Sequence, residues 1–375
     1  MAQSQQLKIA QILPALESGG VERGTLEVAR ELAKQGHRSY VISTGGRLVE
    51  QLQRDGSTHV TMSVKNKSPL TLLTVPRLRR WLLENPVDIL HARSRLPAWI
   101  AWLALHGLPA NKRPHFITTC HGAHSVNRYS AIMARGEKVI AVSEFIREYL
   151  IDNYGLAQEA ITLIPRGVDS QEFPFGYRPT DDWMDAWQNT YPQLKDVPVL
   201  TLAGRLTRLK GHEAFIRLIA SLNQSGNKVY GLIVGGEDPK RLAYAREIRE
   251  LAASLAGENI IFTGMRTDIR DIYAVSDIVY SLSSKPESFG RTVLEAIKLG
   301  RPVIGYDHGG VSEILRATFP QGLVAPQDAE CLLKNTREIL HEKPVLGPTT
   351  QFDLHDTLER TVRLYKEICS YLNDR

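Results

Sequence analysis

The sequence predicts an α/β protein built from two doubly wound parallel-sheet domains, and three observations carry that expectation. From Leu7 to Ile164 short apolar runs alternate with amphipathic helical stretches, the pattern of parallel βαβ units. The alternation lapses over Phe173–Pro198 and restarts at Val199. The chain has 375 residues, beyond the roughly 250–300 at which one core stops growing.

Taken in order, Leu7–Leu13 reads as a buried strand. The Gly19-Gly20 pair then opens a helix with Val21, Val28 and Leu32 on one face, closed by Gly36. Strands follow at Ser39–Ser43, around His59–Val64 and at Val87–Ala92, the last leading into a helix at Pro97–His106. His115–Cys120, Lys138–Val142 and Ile161–Ile164 read as strands, with a helix at Glu144–Asn153. The Pro-, Asp- and Trp-bearing stretch Phe173–Pro198 has poor periodicity and reads as a linker. Beyond it come a strand at Val199–Ala203, a helix at His212–Asn223, a strand at Val229–Val234 and a long helix at Pro239–Ala256. Strands at Asn259–Thr263 and Asp277–Leu282, a helix at Gly290–Leu299 and a strand at Val303–Tyr306 complete the series. A last helix, Leu354–Tyr371, has no strand after it and is expected to pack back on the first domain. The domains expected are residues 1–172, residues 173–350 and the helix of 351–375, with a ligand site in the crevice between the two halves.

Composition bounds the function. With 43% hydrophobic and 23% charged residues the chain is an ordinary globular protein. Its three cysteines, Cys120, Cys331 and Cys369, are far apart and lack metal-ligand spacing, so neither a disulfide framework nor a zinc site is indicated. Met1 to Lys8 has no apolar signal core. The longest apolar run, Ala98–Leu105, is far short of a membrane span. A cytoplasmic protein is expected. Residues 1–170 hold 21 Lys+Arg against 14 Asp+Glu and residues 171–375 hold 25 against 27, so the net charge of +5 divides into +7 and −2. A basic first half suits anionic lipid or an anionic substrate; no nucleic-acid signature accompanies it.

Chemistry-bearing residues gather at strand-to-helix junctions. Gly204-Arg205-Leu206-Thr207-Arg208-Leu209-Lys210-Gly211 follows a strand and opens a helix. Glycine admits a ligand close to the backbone, and two cations at the positive end of a helix dipole suit a diphosphate. A solvated basic turn reads equally well from this segment alone. Glu287-Ser288-Phe289-Gly290 leads into a second helix that carries Glu295. Carboxylates there accept hydrogen bonds from hydroxyls, and the free N–H groups at Phe289 and Gly290 suit phosphate or sugar oxygens. From this segment alone, Glu295 reads better as an ordinary surface helix residue and Glu287 as a loop glutamate capping the helix. Gly309-Gly310-Val311-Ser312-Glu313 and Gly19-Gly20 are further glycine-rich junctions. The latter runs into Val21-Glu22-Arg23-Gly24, which fails the GxGxxG dinucleotide fingerprint.

Together these residues resemble the family 4 retaining glycosyltransferases of the two-Rossmann (GT-B) type, similar to those that build lipopolysaccharide and cell-surface glycans. The resemblance spans most of the chain, through Gly19-Gly20-x-Glu22, Asp88-Ile89-Leu90-His91, Thr119-Cys120-His121-Gly122, Val142-Ser143, Ile164-Pro165-Arg166-Gly167-Val168-Asp169, Gly204-Arg205 with Lys210-Gly211, Glu287 with Glu295-Ala296, Gly300-x-Pro302-Val303 and Gly309-Gly310-x-x-Glu313. It departs at Arg166, where the family usually has asparagine, and at Cys120.

The resemblance implies a nucleotide-sugar donor, a glycan or lipid-linked acceptor on the first domain, and no cofactor or metal. Arg205 and Lys210 would hold the donor diphosphate, Glu287 the hydroxyls of the transferred sugar and Glu295 the ribose. Gly19, Gly20, Gly204, Ser288, Phe289 and Gly290 would line the donor, His121 would lie beside the sugar, and Phe262–Arg266, with Met265 and Arg266, would read the base. A UDP-sugar is favoured. Arg77-Leu78-Arg79-Arg80-Trp81-Leu82-Leu83 and Trp99-Ile100-Ala101-Trp102 are candidates for contact with anionic lipid on the inner face of the plasma membrane, although for each segment the reading with Trp99, Trp102 and Leu103 in the core and the arginines solvated stands slightly ahead. The competing readings are a nucleotide-sugar epimerase of the same fold, a hydrolase using the glutamate pair, and a non-catalytic basic module binding lipid or nucleic acid.

Overall fold

The computed structural model describes residues 6–17, 19–66, 71, 73–237 and 242–370. It divides into two units, one of Met1–Pro165 with His355–Arg375 and the other of Arg166–Leu354.

The first unit holds seven strands: β1 (Lys8–Ile12), β2 (Arg38–Ser43), β3 (Thr58–Thr61), β4 (Ile89–Ala92), β5 (His115–Cys120), β6 (Lys138–Ala141) and β7 (Ile161–Leu163). Their order is β3-β2-β1-β4-β5-β6-β7, and every pairing is parallel. The chain winds outward from β1 and then returns to β4, so β1 and β4 flank the switch point. β4 is buried along its whole length, as a strand covered on both faces must be. The helix Gly20–Lys34 buries Leu26, Val28, Ala29 and Leu32, an apolar stripe at helical spacing.

The helix Leu354–Ser370 packs on this sheet, burying Val362, Leu364, Tyr365 and Ile368 with Leu7, Ile9, Ile89, Ile117 and Ile140. The Tyr365 hydroxyl lies 2.7 Å from His91 Nδ1, and His91 Nε2 lies 2.6 Å from Thr119 Oγ1, so a polar thread runs from the helix into the central strands. Arg360 and Thr357 donate to the carbonyls of Leu163 and Pro165 at 2.6 and 2.9 Å. Tyr371, which the sequence places in this helix, lies outside the described residues.

The second unit holds β8 (Val199–Ala203), β9 (Tyr230–Val234), β10 (Ile260–Gly264), β11 (Ile278–Ser281), β12 (Val303–Tyr306) and β13 (Leu323–Val324), in the parallel order β10-β9-β8-β11-β12-β13. Its switch point lies between β8 and β11. The stretch read as a linker contains the helix Asp181–Thr190, where the Thr180 hydroxyl accepts from the Trp183 N–H. Trp183 stacks on Trp187, which is buried with Val199, Tyr230 and Leu232. The i, i+4 spacing of Trp183, Trp187 and Tyr191 is the helical signal, masked in the sequence by the prolines on either side. The helices Val49–Arg54, Ile269–Ala274 and Ala329–Glu342 also escaped the sequence reading. Residues 239–241, expected to begin a helix, lie outside the described residues, and the helix there is Leu242–Leu255.

Candidate active site

The switch point of the second sheet brings the two strongest motifs together. Lys210 sits in the short turn Arg208–Lys210 after β8, and Glu287 in the loop after β11, the strand paired with β8. Lys210 Nζ lies 2.7 Å from Glu287 Oε1. The Ser283 hydroxyl donates to the same oxygen, and Ser283 in turn is held by His308, whose Nε2–H donates to its carbonyl at 2.9 Å. Burial by itself would push the Glu287 carboxyl up; the Lys210 charge, the two hydrogen bonds and His308 outweigh it and hold the group below the ordinary glutamate range. Glu287 is therefore an anion with one oxygen already shared by two donors.

Glycines make this packing possible. Gly211, at φ 75°, caps the helix His212–Gln224, and a Cβ there would stand 2.0 Å from the Leu282 carbonyl oxygen. Gly310 donates its N–H to the Glu287 carbonyl at 2.8 Å, and a Cβ on it would come within 2.4 Å of Phe289 Cα. The Gly309-Gly310 junction thus serves the Glu287 loop. Gly204 brings β8 into close approach with its neighbour: a Cβ on Gly235 would lie 2.0 Å from the Gly204 carbonyl oxygen.

Gly290, at φ 98°, caps the helix Arg291–Lys298 behind Ser288 and the buried Phe289. The first-turn N–H groups of that helix lie at the carboxyl edge of the sheet, an anion-binding position. Glu295 is 6% exposed and accepts from Arg291 Nε at 2.9 Å. Tyr273 is fully buried, and the charges of Glu295 and Glu287 reinforce the effect of burial in pushing its hydroxyl pKa up. Arg205 is exposed and has no hydrogen-bond or ion-pair partner among the described residues. At the end of β10, Met265 is 76% exposed, while Arg266 is clamped by Asp268 at 2.8 and 2.5 Å and lies over the Trp187 ring.

The structure thus joins Lys210 with Glu287 and sets Gly204, Phe289, Gly290 and Glu295 around the same sheet edge. Gly19, Gly20 and His121 belong to the first unit. Gly19 precedes the helix Gly20–Lys34 after β1, and His121 follows β5, so all three stand at the carboxyl edge of the first sheet, the edge at which Arg93 follows β4. Arg93 is buried, with Nη1 2.6 Å from Gln11 Oε1. Sequence reasoning missed Ser283, Arg291, Arg93 and Tyr273. Only Arg291 carried a signal, the i, i+4 spacing to Glu295. In the first unit Trp99 and Trp102 are partly buried against the core and meet edge to face. Arg79 and Arg113 are turned onto backbone carbonyls.

Residues 18–172 match the family described as Glycosyltransferase Family 4, and residues 184–350 the family described as Glycosyl transferases group 1. A glycosyltransferase from Rickettsia africae ESF-5 of known crystal structure is 31% identical, with a TM-score of 0.83 over 97% of this chain and 98% of that one. Anabaena Alr3699/HepE, solved in complex with UDP and glucose, shares the fold at 19% identity, with a TM-score of 0.78 over 99% of this chain and all of its own. The phosphatidylinositol N-acetylglucosaminyltransferase GPI3 subunit of Saccharomyces cerevisiae is 24% identical over 94% of this chain and 80% of its own length.

Proposed function

The chain belongs to the family 4 glycosyltransferases of GT-B fold, and we propose that it transfers a hexose, with retention, from a UDP-sugar to a glycan or lipid-linked acceptor in bacterial lipopolysaccharide or cell-surface polysaccharide synthesis. The observation that carries this reading is the Lys210–Glu287 contact at the switch point, with Glu295 buried on the adjoining helix. In it Arg205 and Lys210 face the donor diphosphate, Glu287 the hydroxyls of the sugar, Glu295 the ribose and His121 the sugar's reacting side. Met265 and Arg266 lie where the base is read.

The transfer breaks the bond between the anomeric carbon and the diphosphate and forms one to the acceptor oxygen, whose proton passes to the departing phosphate. Positive charge grows on the sugar and negative charge on the diphosphate. Fixed cations beside the phosphate therefore act most strongly in the transition state, and a metal is not required. The Lys210 ammonium has three donors and gives one to Glu287, leaving two for phosphate oxygens. Glu287, held as an anion by Lys210 and Ser283, is better suited to orienting sugar hydroxyls than to attacking carbon.

Acceptor and membrane belong to the basic first half in this reading. On the helix Thr74–Glu84, Arg77 and Arg80 are exposed, flanked by the exposed Leu73 and Leu83, a face suited to anionic lipid. No helix among the described residues is long and apolar enough to cross a membrane.

The test is release of nucleoside diphosphate from a panel of UDP-glucose, UDP-N-acetylglucosamine and GDP-mannose, with and without acceptor glycan, and the anomeric configuration of the product by NMR. Acceptor-dependent release of UDP with the configuration kept is expected. Release without acceptor, or an inverted product, overturns the proposal.

A further inference from the structure

A second concavity lies at the opposite edge of the second sheet, beneath the amino ends of its strands. It has a volume of about 430 Å³ and is bounded by Pro198, Asp277 and Pro302, which lead into β8, β11 and β12, and by segments 175–178, 299–301 and 343–346. That size suits a small metabolite. β8 is five residues long, so about 17 Å of strand separates this concavity from the Lys210 turn.

Its charge is unbalanced. Arg178, Arg301 and Lys343 line it against one carboxylate, Asp277, and Asp277 Oδ2 already accepts the Val199 N–H at 2.7 Å. The Arg301 side chain is half-buried, with the Asp277 charge as its electrostatic neighbour, and makes no hydrogen bond or ion pair among the described residues, leaving its five guanidinium donors unused. Such a group is stabilised by an anion that meets it with two oxygens. Two of the large apolar side chains left exposed among the described residues, Phe175 and Val345, stand on the same wall. Lys343 ends the helix Ala329–Glu342 at φ 46°, a left-handed conformation that a lysine adopts rarely and that turns the chain into the segment lining the concavity.

From this combination we infer that the concavity is a binding site for a phosphorylated sugar, separate from the site proposed for the donor. Arg301 forks onto the phosphate, Lys343 and Arg178 add charge from the rim, and Phe175 and Tyr177 offer ring faces to the sugar. The helix Arg291–Lys298 carries Glu295 toward one site and ends at Leu299-Gly300-Arg301 in the other, so an occupant touches the element that holds the proposed ribose contact.

Calorimetric titration of the full chain with glucose 6-phosphate, and separately with inorganic phosphate, tests this inference. The wild type and the Lys210→Ala variant should bind glucose 6-phosphate alike, and Arg301→Ala should weaken it at least tenfold, with inorganic phosphate bound more weakly throughout. Lys343→Glu, an exposed change that spares the fold, should weaken binding too and covers the case in which Arg301→Ala does not fold. Binding lost in Lys210→Ala but kept in Arg301→Ala and Lys343→Glu assigns the sugar phosphate to the donor site and overturns the inference, as does a wild type that binds neither probe. Neither result bears on acceptor-dependent UDP release, which stands or falls by its own assay.

Discussion

Lys210 and Glu287 are 77 positions apart in sequence, yet their charged atoms lie 2.7 Å from each other because β8 and β11 pair across the switch point of the second sheet. Removing the cation leaves Glu287 without its counter-charge and the departing diphosphate without a fixed donor. Lys210→Ala is expected to lower kcat by about 10²–10³, the loss seen when an oxyanion donor is removed. Steady-state release of nucleoside diphosphate measures it. A fall confined to KM would show that Lys210 binds donor without acting in the transition state.

Glu295 is nearly enclosed, and its charge is held by Arg291. Hydrogen bonds to a charged acceptor contribute about 1.5–3 kcal/mol each, so Glu295→Ala should weaken nucleotide binding by roughly ten- to a hundredfold, read by calorimetry with UDP. Glu287→Gln, by contrast, should leave UDP affinity nearly unchanged and lower turnover, because its proposed partner is the sugar. Equal loss of UDP affinity in both variants would contradict this division of roles.

The glycines separate steric from conformational demands. Gly211 and Gly226 both have positive φ, at 75° and 88°, but a Cβ on Gly211 would strike the Leu282 carbonyl at 2.0 Å whereas one on Gly226 meets nothing within 4 Å. Gly226→Ala should then cost about 1 kcal/mol of backbone strain. Gly211→Ala must also move the loop that leads to Glu287, so at least twice that loss is expected from denaturant midpoints, together with reduced activity. Equal stability losses would mean that the loop yields freely.

The alternating β/α order was legible because each buried parallel strand is a short apolar run that only a sheet covered on both faces requires. The Lys210 and Glu287 motifs were legible for a related reason, since each follows a strand directly and topology puts strand ends at ligands. What escaped depended on contacts between loops. Ser283 and His308 reach Glu287 through a carbonyl and a hydroxyl that no spacing announces. The Gly309-Gly310 pair was legible as a glycine-rich entry to a helix, but not the Phe289 backbone lying against it. The helix Asp181–Thr190 was hidden by flanking prolines even though its tryptophans recur at i and i+4.

Tyr365 anchors the helix Leu354–Ser370 through its hydroxyl, 2.7 Å from His91 Nδ1. Both residues are fully buried, so Tyr365→Phe leaves a ring nitrogen without its partner. A loss of about 1–3 kcal/mol in unfolding free energy is expected. Amide exchange should quicken along this helix, with the second unit's exchange unchanged. Unaltered protection of the helix would show that apolar packing alone holds it.

Three groups of side chains give the stability three pH windows. Burial lowers the His91 pKa well below its usual value and, with the Lys210 charge adding to the effect, brings His212 to about 4. A histidine kept neutral by the fold contributes fully above the unfolded value near 6.5; below it the unfolded chain takes up the proton first and stability falls as the pH drops. The slope per histidine approaches about 1.4 kcal/mol per pH unit, and for His212 it persists to about pH 4. His115 is opposite in sign: its hydrogen bond with Glu137 raises its pKa, so that contribution is present below 6.5 and is lost as the pH rises through the folded value. Glu287, held low, withdraws its contribution only below the ordinary glutamate range. Guanidinium unfolding at pH 7.5, 6.5 and 5 should therefore show a loss between the last two that His212→Gln reduces by about 1.5 kcal/mol. A wild type equally stable at pH 6.5 and 5 would mean that these two imidazoles accept protons in the folded protein.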